Sequence, residues 1–146
     1  MSDLKTEVSR FLNSMDYLNL ATVSREWRPL VHTIAYASEG AVAYFSTDRR
    51  SRKMEHISEN PYVAYTVDPD SREWTCMKGV QMQARASIVT DPSEQKKARD
   101  LLIAKFPMVA SMPQDKNAVM VKLEPIECDY LDYSRGFGHS DRVKFA

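Results

Sequence analysis

Six short runs of β-branched, aromatic and alternating apolar residues set the limits on what this chain can fold into. They occupy residues 17–24 (YLNLATVS), 30–37 (LVHTIAYA), 41–47 (AVAYFST), 62–68 (YVAYTVD), 73–90 and 118–133. Mostly they follow one another across short turns. A doubly wound parallel sheet needs a crossover helix between strands, so this order disfavours it and predicts an antiparallel barrel with helices attached, a mainly β fold of the α+β class. Ser38-Glu39-Gly40 reads as the turn of a hairpin between 30–37 and 41–47. In the fifth run Val80, Met82, Ala84 and Ala86 face one way, and Gly79, Gln81, Gln83 and Arg85 the other. Pro125 predicts a bend in the last run.

Three helices complete the pattern. Leu4, Val8, Phe11, Leu12 and Met15 form an apolar stripe over 3–15. A short helix opens at Ser51 and stops at Asn60-Pro61. Ala98, Leu101, Leu102 and Phe106 mark another over 93–106, with Pro92 near its first turn. At 146 residues the chain reads as one domain, 1–146. Such a length buries roughly two-thirds of its unfolded surface and needs no disulfide staples.

Charge narrows the function. Twenty basic residues balance twenty acidic ones, so no global grip on nucleic acid or on an anionic membrane is expected. No apolar run approaches the ~18 residues of a membrane span, and the N-terminal segment has no apolar signal core. Cys76 and Cys128 stand far apart, outside any Cys-x-x-Cys pattern, which suits a reducing cytoplasm. His32, His56 and His139 show no paired spacing and no acidic cluster beside them, so no metal site is expected. No Gly-x-Ser-x-Gly occurs and neither cysteine has a recognisable partner, so no catalytic nucleophile is assigned.

The chemistry concentrates in residues 45–53, Phe-Ser-Thr-Asp-Arg-Arg-Ser-Arg-Lys. A strand ends in Ser46 and Thr47, and a helix opens at Ser51 with Arg52 and Lys53 in its first turn. Positive charge there opposes the helix dipole. An anion resolves the conflict, because free N–H groups at a helix start favour phosphate. A solvated basic turn is the plain alternative. Two other features admit two readings each. Gln81 and Gln83 either face water or present amides to a heterocycle edge. Gly136-Phe137-Gly138-His139 is either a loose tail or a flap over a pocket.

Together these segments resemble the pyridoxamine 5′-phosphate oxidase-like family of FMN-binding split barrels, especially its small general-stress-protein members. The resemblance runs through LATVSREWRPLVHTIAYA, AVAYFSTDRRSRKMEHISENPYVAYTVD, GVQMQARASIVTD and EPIECDYLDYSRGFGHSD. It implies a six-stranded antiparallel split β-barrel with flanking helices that forms a homodimer with FMN at the subunit interface. Ser46, Thr47, Ser51, Arg52 and Lys53 would hold the phosphate. His32, Thr33 and Ile34 would run beside the isoalloxazine ring, and Gln81 would stand in for the family's flavin-contacting glutamine. The family often carries arginine where this chain has His32. Where the oxidases place a substrate-phosphate lysine this chain has Ala37, and its tail lacks their Arg-containing segment. The expectation is an FMN-dependent oxidoreductase passing hydride between flavin and NAD(P)H or a small-molecule substrate, with no catalytic acid or base assigned. The alternatives are a non-catalytic flavin-binding or redox-sensing protein, deazaflavin F420 in place of FMN, and a haem-binding split barrel using His139.

Overall fold

The computed structural model describes residues 3–146. Helix α1 (Leu4–Ser14) starts where the Asp3 carboxylate accepts the Thr6 N–H at 2.9 Å. Strands β1 (Tyr17–Val23), β2 (Pro29–Ala35), β3 (Ala37–Glu39) and β4 (Val42–Asp48) follow, then α2 (Arg52–Glu59), β5 (Tyr62–Val67), β6 (Lys78–Ile88), α3 (Pro92–Lys105), β7 (Ala118–Asp132) and β8 (Ser140–Lys144). Every strand pairing is antiparallel, and the order across the sheet is β2-β1-β5-β6-β7-β4-β3, with β8 also on β7.

That order explains the curl. Strands β2 and β3 lie at opposite ends of the sheet, yet only Tyr36 separates them in the chain. The covalent chain therefore draws the two edges together, and the sheet bends into a split barrel around one core. Tyr36 is 0 % exposed, and its hydroxyl donates to the Leu12 carbonyl at 2.5 Å, fastening α1 across the closure. Leu18, Leu20, Phe45, Val80, Met82 and Leu123 fill the interior from alternate strand positions.

The expected faces of β6 are found with one exception: Val80, Met82, Ala84 and Ala86 are buried and Gln81, Gln83 and Arg85 are exposed, but Gly79, expected with the exposed set, is buried close to the Val67 carbonyl. Three local expectations change. Residues 30–37 do not form one hairpin strand with 41–47. β2 pairs with β1 from Pro29↔Val23 to Ala35↔Tyr17, and only Ala37–Glu39 turns back onto β4. The switch falls at Tyr36, whose N–H goes to the Asp16 carbonyl at 3.2 Å. Extended structure in the fifth run begins at Lys78, because Trp74–Cys76 forms a 3-10 turn. The tail is not loose, since Ser140–Lys144 adds a strand to β7. Pro125 produces the expected irregularity: it sits opposite Ala84 while Glu127 sits opposite Gln83, leaving Ile126 as a bulge. Freed from that ladder, the Ile126 carbonyl accepts the Phe145 and Ala146 N–H groups and anchors the C-terminus.

Among the described residues no helix is long and apolar enough to cross a membrane. Both cysteines are free. Cys128 is buried, and burial, followed by the charges of Asp129 and Glu127, pushes its thiol up to about 12. Only exposed Cys76 should therefore react with Ellman's reagent in the native protein, with the second thiol appearing on unfolding in denaturant. Two equally fast thiols in the folded state would contradict this packing.

Candidate functional site

The site begins where β4 hands over to α2. Asp48 closes the turn by accepting the Arg50 N–H at 2.8 Å and the Arg50 guanidinium at 3.0 and 2.8 Å. Those bonds hold the Asp48 carboxyl down at about 2. Arg50 is thereby committed within the turn. Ser51 follows in the backbone conformation of a helix N-cap, yet its hydroxyl caps nothing. Its Oγ is buried and has no hydrogen-bond partner. Among the described residues neither Arg52 nor Lys53 has a carboxylate within 4.0 Å. The corner thus combines an orphaned hydroxyl, two uncompensated cations and the free N–H groups of a helix start. That is the donor set a phosphate monoester requires.

His32 belongs to the same corner. It lies opposite Leu20 in the β1–β2 ladder and so shares the barrel-facing side of the sheet. Burial, then the charges of Lys53, Arg52 and His56, lowers its pKa below the ordinary value. Its Nδ1 is buried without a partner. His56 is buried one turn into α2 and shares a 2.8 Å hydrogen bond with Thr22 of β1, which holds the helix against the sheet. Nothing in the sequence pattern marks His56 for that role.

Strand alternation divides the remaining candidates. Ala43 and Phe45 point into the core, so Thr47 follows them inward at the corner, while exposed Ser46 points to the other face. Ile34 is a core side chain. Because β2 pairs only with β1, it is a sheet edge, and alternate residues along His32-Thr33-Ile34 turn backbone N–H and C=O groups toward the open side. Thr33 points outward and donates to Asn19 Oδ1 at 3.3 Å, and Asn19 Nδ2 donates to Thr66 Oγ1 at 3.2 Å. Gln81 stands opposite Thr66 on that outer face. It lines a groove of about 360 Å³ with Asn19, Val31, Ala64, Gln83 and Asp129. Within one chain, then, His32 lies within the charge field of Arg52 and Lys53, which follow Ser51 at the start of α2, whereas Thr33 and Gln81 occupy the reverse side of the sheet and Ser46 faces away from the core side of β4 that Thr47 shares. Asn19, which links the outer row, was legible only as the polar partner of Leu18 and Leu20 in an alternating strand.

At the far end of β7, Phe137 stacks on Trp74 with centroids 6.2 Å apart and leans on Tyr133 at 5.4 Å. Gly136 and Gly138, at φ 142 and 82, flank it in conformations that an L side chain rarely adopts. His139 Nε2 lies 3.0 Å from Asp141 Oδ2.

Residues 4–132 match the family model for pyridoxamine 5′-phosphate oxidase. The chain belongs to this family. Among its relatives is a UPF0306 protein of Yersinia pestis bv. Antiqua (strain Angola), 28% identical over 141 residues that cover 94% of this chain and 92% of that one. In three dimensions it is similar to a haem binding protein from Mycobacterium smegmatis, with a TM-score of 0.82 at 13% identity over 99% of this chain. It spans only 59% of that mycobacterial protein's length. It is also similar to General Stress Protein 26 from Bacillus anthracis str. Sterne, with a TM-score of 0.73 at 22% identity, covering 97% of this chain and 98% of that one. These structural likenesses establish the split-barrel fold of the family.

Proposed function

We propose that this protein is an FMN-binding flavoprotein that works as a homodimeric, FMN-dependent oxidoreductase. One observation carries the reading: at the start of α2 the buried Ser51 hydroxyl has no hydrogen-bond partner, and the adjacent Arg52 and Lys53 have no carboxylate within 4.0 Å, among the described residues. A buried hydroxyl without a partner costs about 1–3 kcal/mol, and a phosphate monoester would satisfy it and both cations at once. FMN, when bound, supplies hydride chemistry at its ring, and the protein supplies binding, orientation and electrostatics. Ser51, Arg52, Lys53 and Thr47 would fix the phosphate, and the open edge of β2 would offer backbone groups to the ring. Gln81 and Thr33 face outward, so they would reach a flavin held by a second copy. Val31 and Tyr62, 64 % and 60 % exposed on that outer side, suit a partner-facing surface. Ala37 is buried and offers no cation to a substrate phosphate, so pyridoxamine phosphate is not the substrate proposed. The free thiols fit a reducing cytoplasm.

The test is titration of the apo protein with FMN. Yellow colour should co-elute with the protein. FMN at ~100 times its dissociation constant should stabilise the fold by roughly 2.7 kcal/mol, a melting shift of roughly 5–10 °C for a chain of this size. No protection by FMN or by deazaflavin F420 would overturn the reading. Steady NAD(P)H oxidation above that of free FMN would separate an enzyme from a redox-sensing flavoprotein. Haem is the second reading, favoured by the shape shared with the mycobacterial haem binding protein. His139 would have to leave Asp141 to ligate iron, and a Soret-band titration decides it: the flavin reading expects no change.

A further inference from the structure

Two imidazoles face each other across β1 and α2: His56 is hydrogen-bonded to Thr22, and His32 has a ring nitrogen without a partner. His32 Nδ1 is sealed from solvent and bonded to nothing. Across the ladder, β1 presents Leu20 and Thr22, neither of which titrates in this range. The charged groups that act on the imidazole all come from α2: Lys53, Arg52 and His56, with no carboxylate among them. Burial and those three neighbours all disfavour the imidazolium. A phosphate monoester carries about −1.5 to −2 charges and would reverse the sign of the field at that ring.

We propose that His32 is a proton-coupled partner of the anion, neutral without it and protonated when a phosphate dianion settles on Ser51, Arg52 and Lys53. The proposal rests on the flavin reading of the same corner. It makes His32 a determinant of which ligands bind tightly: a dianionic terminal group gains an additional cation, and a neutral one gains none. Its sign follows from linkage. The ligand raises the proton affinity of His32, so binding is strongest below the free-state titration and weakens as pH rises through the bound-state one.

Isothermal titration of FMN into the whole apo protein, in two buffers of different ionisation enthalpy, reads the proton directly. At about pH 7.5 the free monoester, whose second pKa is about 6, is already almost wholly dianionic, so a proton gained belongs to the protein. The expected result is net proton uptake with FMN and none with riboflavin, which lacks the phosphate. FMN affinity should fall roughly two- to five-fold between about pH 7 and pH 8.5. His32→Gln should abolish both the uptake and that pH dependence. In the wild type, imidazole NMR should show the His32 titration moving up on FMN binding, a readout that does not depend on the variant folding. FMN binding without proton uptake, or uptake undiminished in His32→Gln, would overturn the proposal and leave the flavin reading standing. Failure of FMN to bind would overturn both.

Discussion

Replacing Arg52 and Lys53 together by glutamate is expected to weaken FMN binding by roughly 10²–10⁴-fold. Each charge-assisted hydrogen bond contributes roughly 1.5–3 kcal/mol, two of them roughly 3–6, and each ~1.4 kcal/mol is a factor of ten. Repulsion between the new carboxylates and the phosphate acts in the same direction. The fold should survive, because Arg52 is exposed, Lys53 is half-buried and neither has an ion-pair partner to lose among the described residues. Acidic residues in the first turn of α2 also suit the helix dipole, worth about 0.3–1 kcal/mol each. Affinity and stability should therefore move in opposite directions, a combination that general damage to the protein cannot produce. Fluorescence titration and thermal melting of the double variant read the two quantities, and unchanged FMN affinity would place the phosphate elsewhere.

Tyr36→Ala is expected to cost about 3–5 kcal/mol of stability, the range for emptying a large aromatic from a core. The position makes the upper part of that range the expected one. Tyr36 is the single residue between the two ends of the sheet, its ring is fully buried, and its hydroxyl ties α1 to the closure. The Lys105 ammonium also sits 4.0 Å over the ring centroid, with no hydrogen-bond partner among the described residues, so deleting the ring leaves a buried cation with only the Phe106 ring at 5.8 Å and the charge of Asp16 to favour it. Tyr36→Phe removes only the hydroxyl and should cost about 0.5–1.5 kcal/mol. Urea unfolding of both variants distinguishes them. A Tyr36→Ala cost below that of Tyr36→Phe would contradict the role assigned to the ring.

These two positions also show what the sequence revealed and what it concealed. The basic block at 49–53 was legible because a helix start with cations and no acids is locally inconsistent, and local inconsistency marks function. The faces of β6 were legible because alternation is a property of neighbouring residues. Tyr36 as the point of closure was not, since it depends on which strands lie at the edges, and that is settled by long-range pairing. β8 is not legible because SDRVK carries one buried residue, Val143, and no alternating apolar run. The separation of Gln81 from Arg52 was hidden for the same reason as the closure: strand parity gives the face of each residue within its own strand, but only the assembled sheet relates the faces of different strands. Ser46 and Thr47 are the exception. As consecutive strand residues they were bound to point in opposite directions, and only Thr47 turns toward the corner.

The most direct measurement is a crystal structure of the protein with FMN. It should place the phosphate within hydrogen-bond distance of Ser51 Oγ and of the Arg52 and Lys53 side chains, with the ring along the open edge of β2. A phosphate bound elsewhere, while that hydroxyl stays unbonded and both cations extend into solvent, would contradict the account.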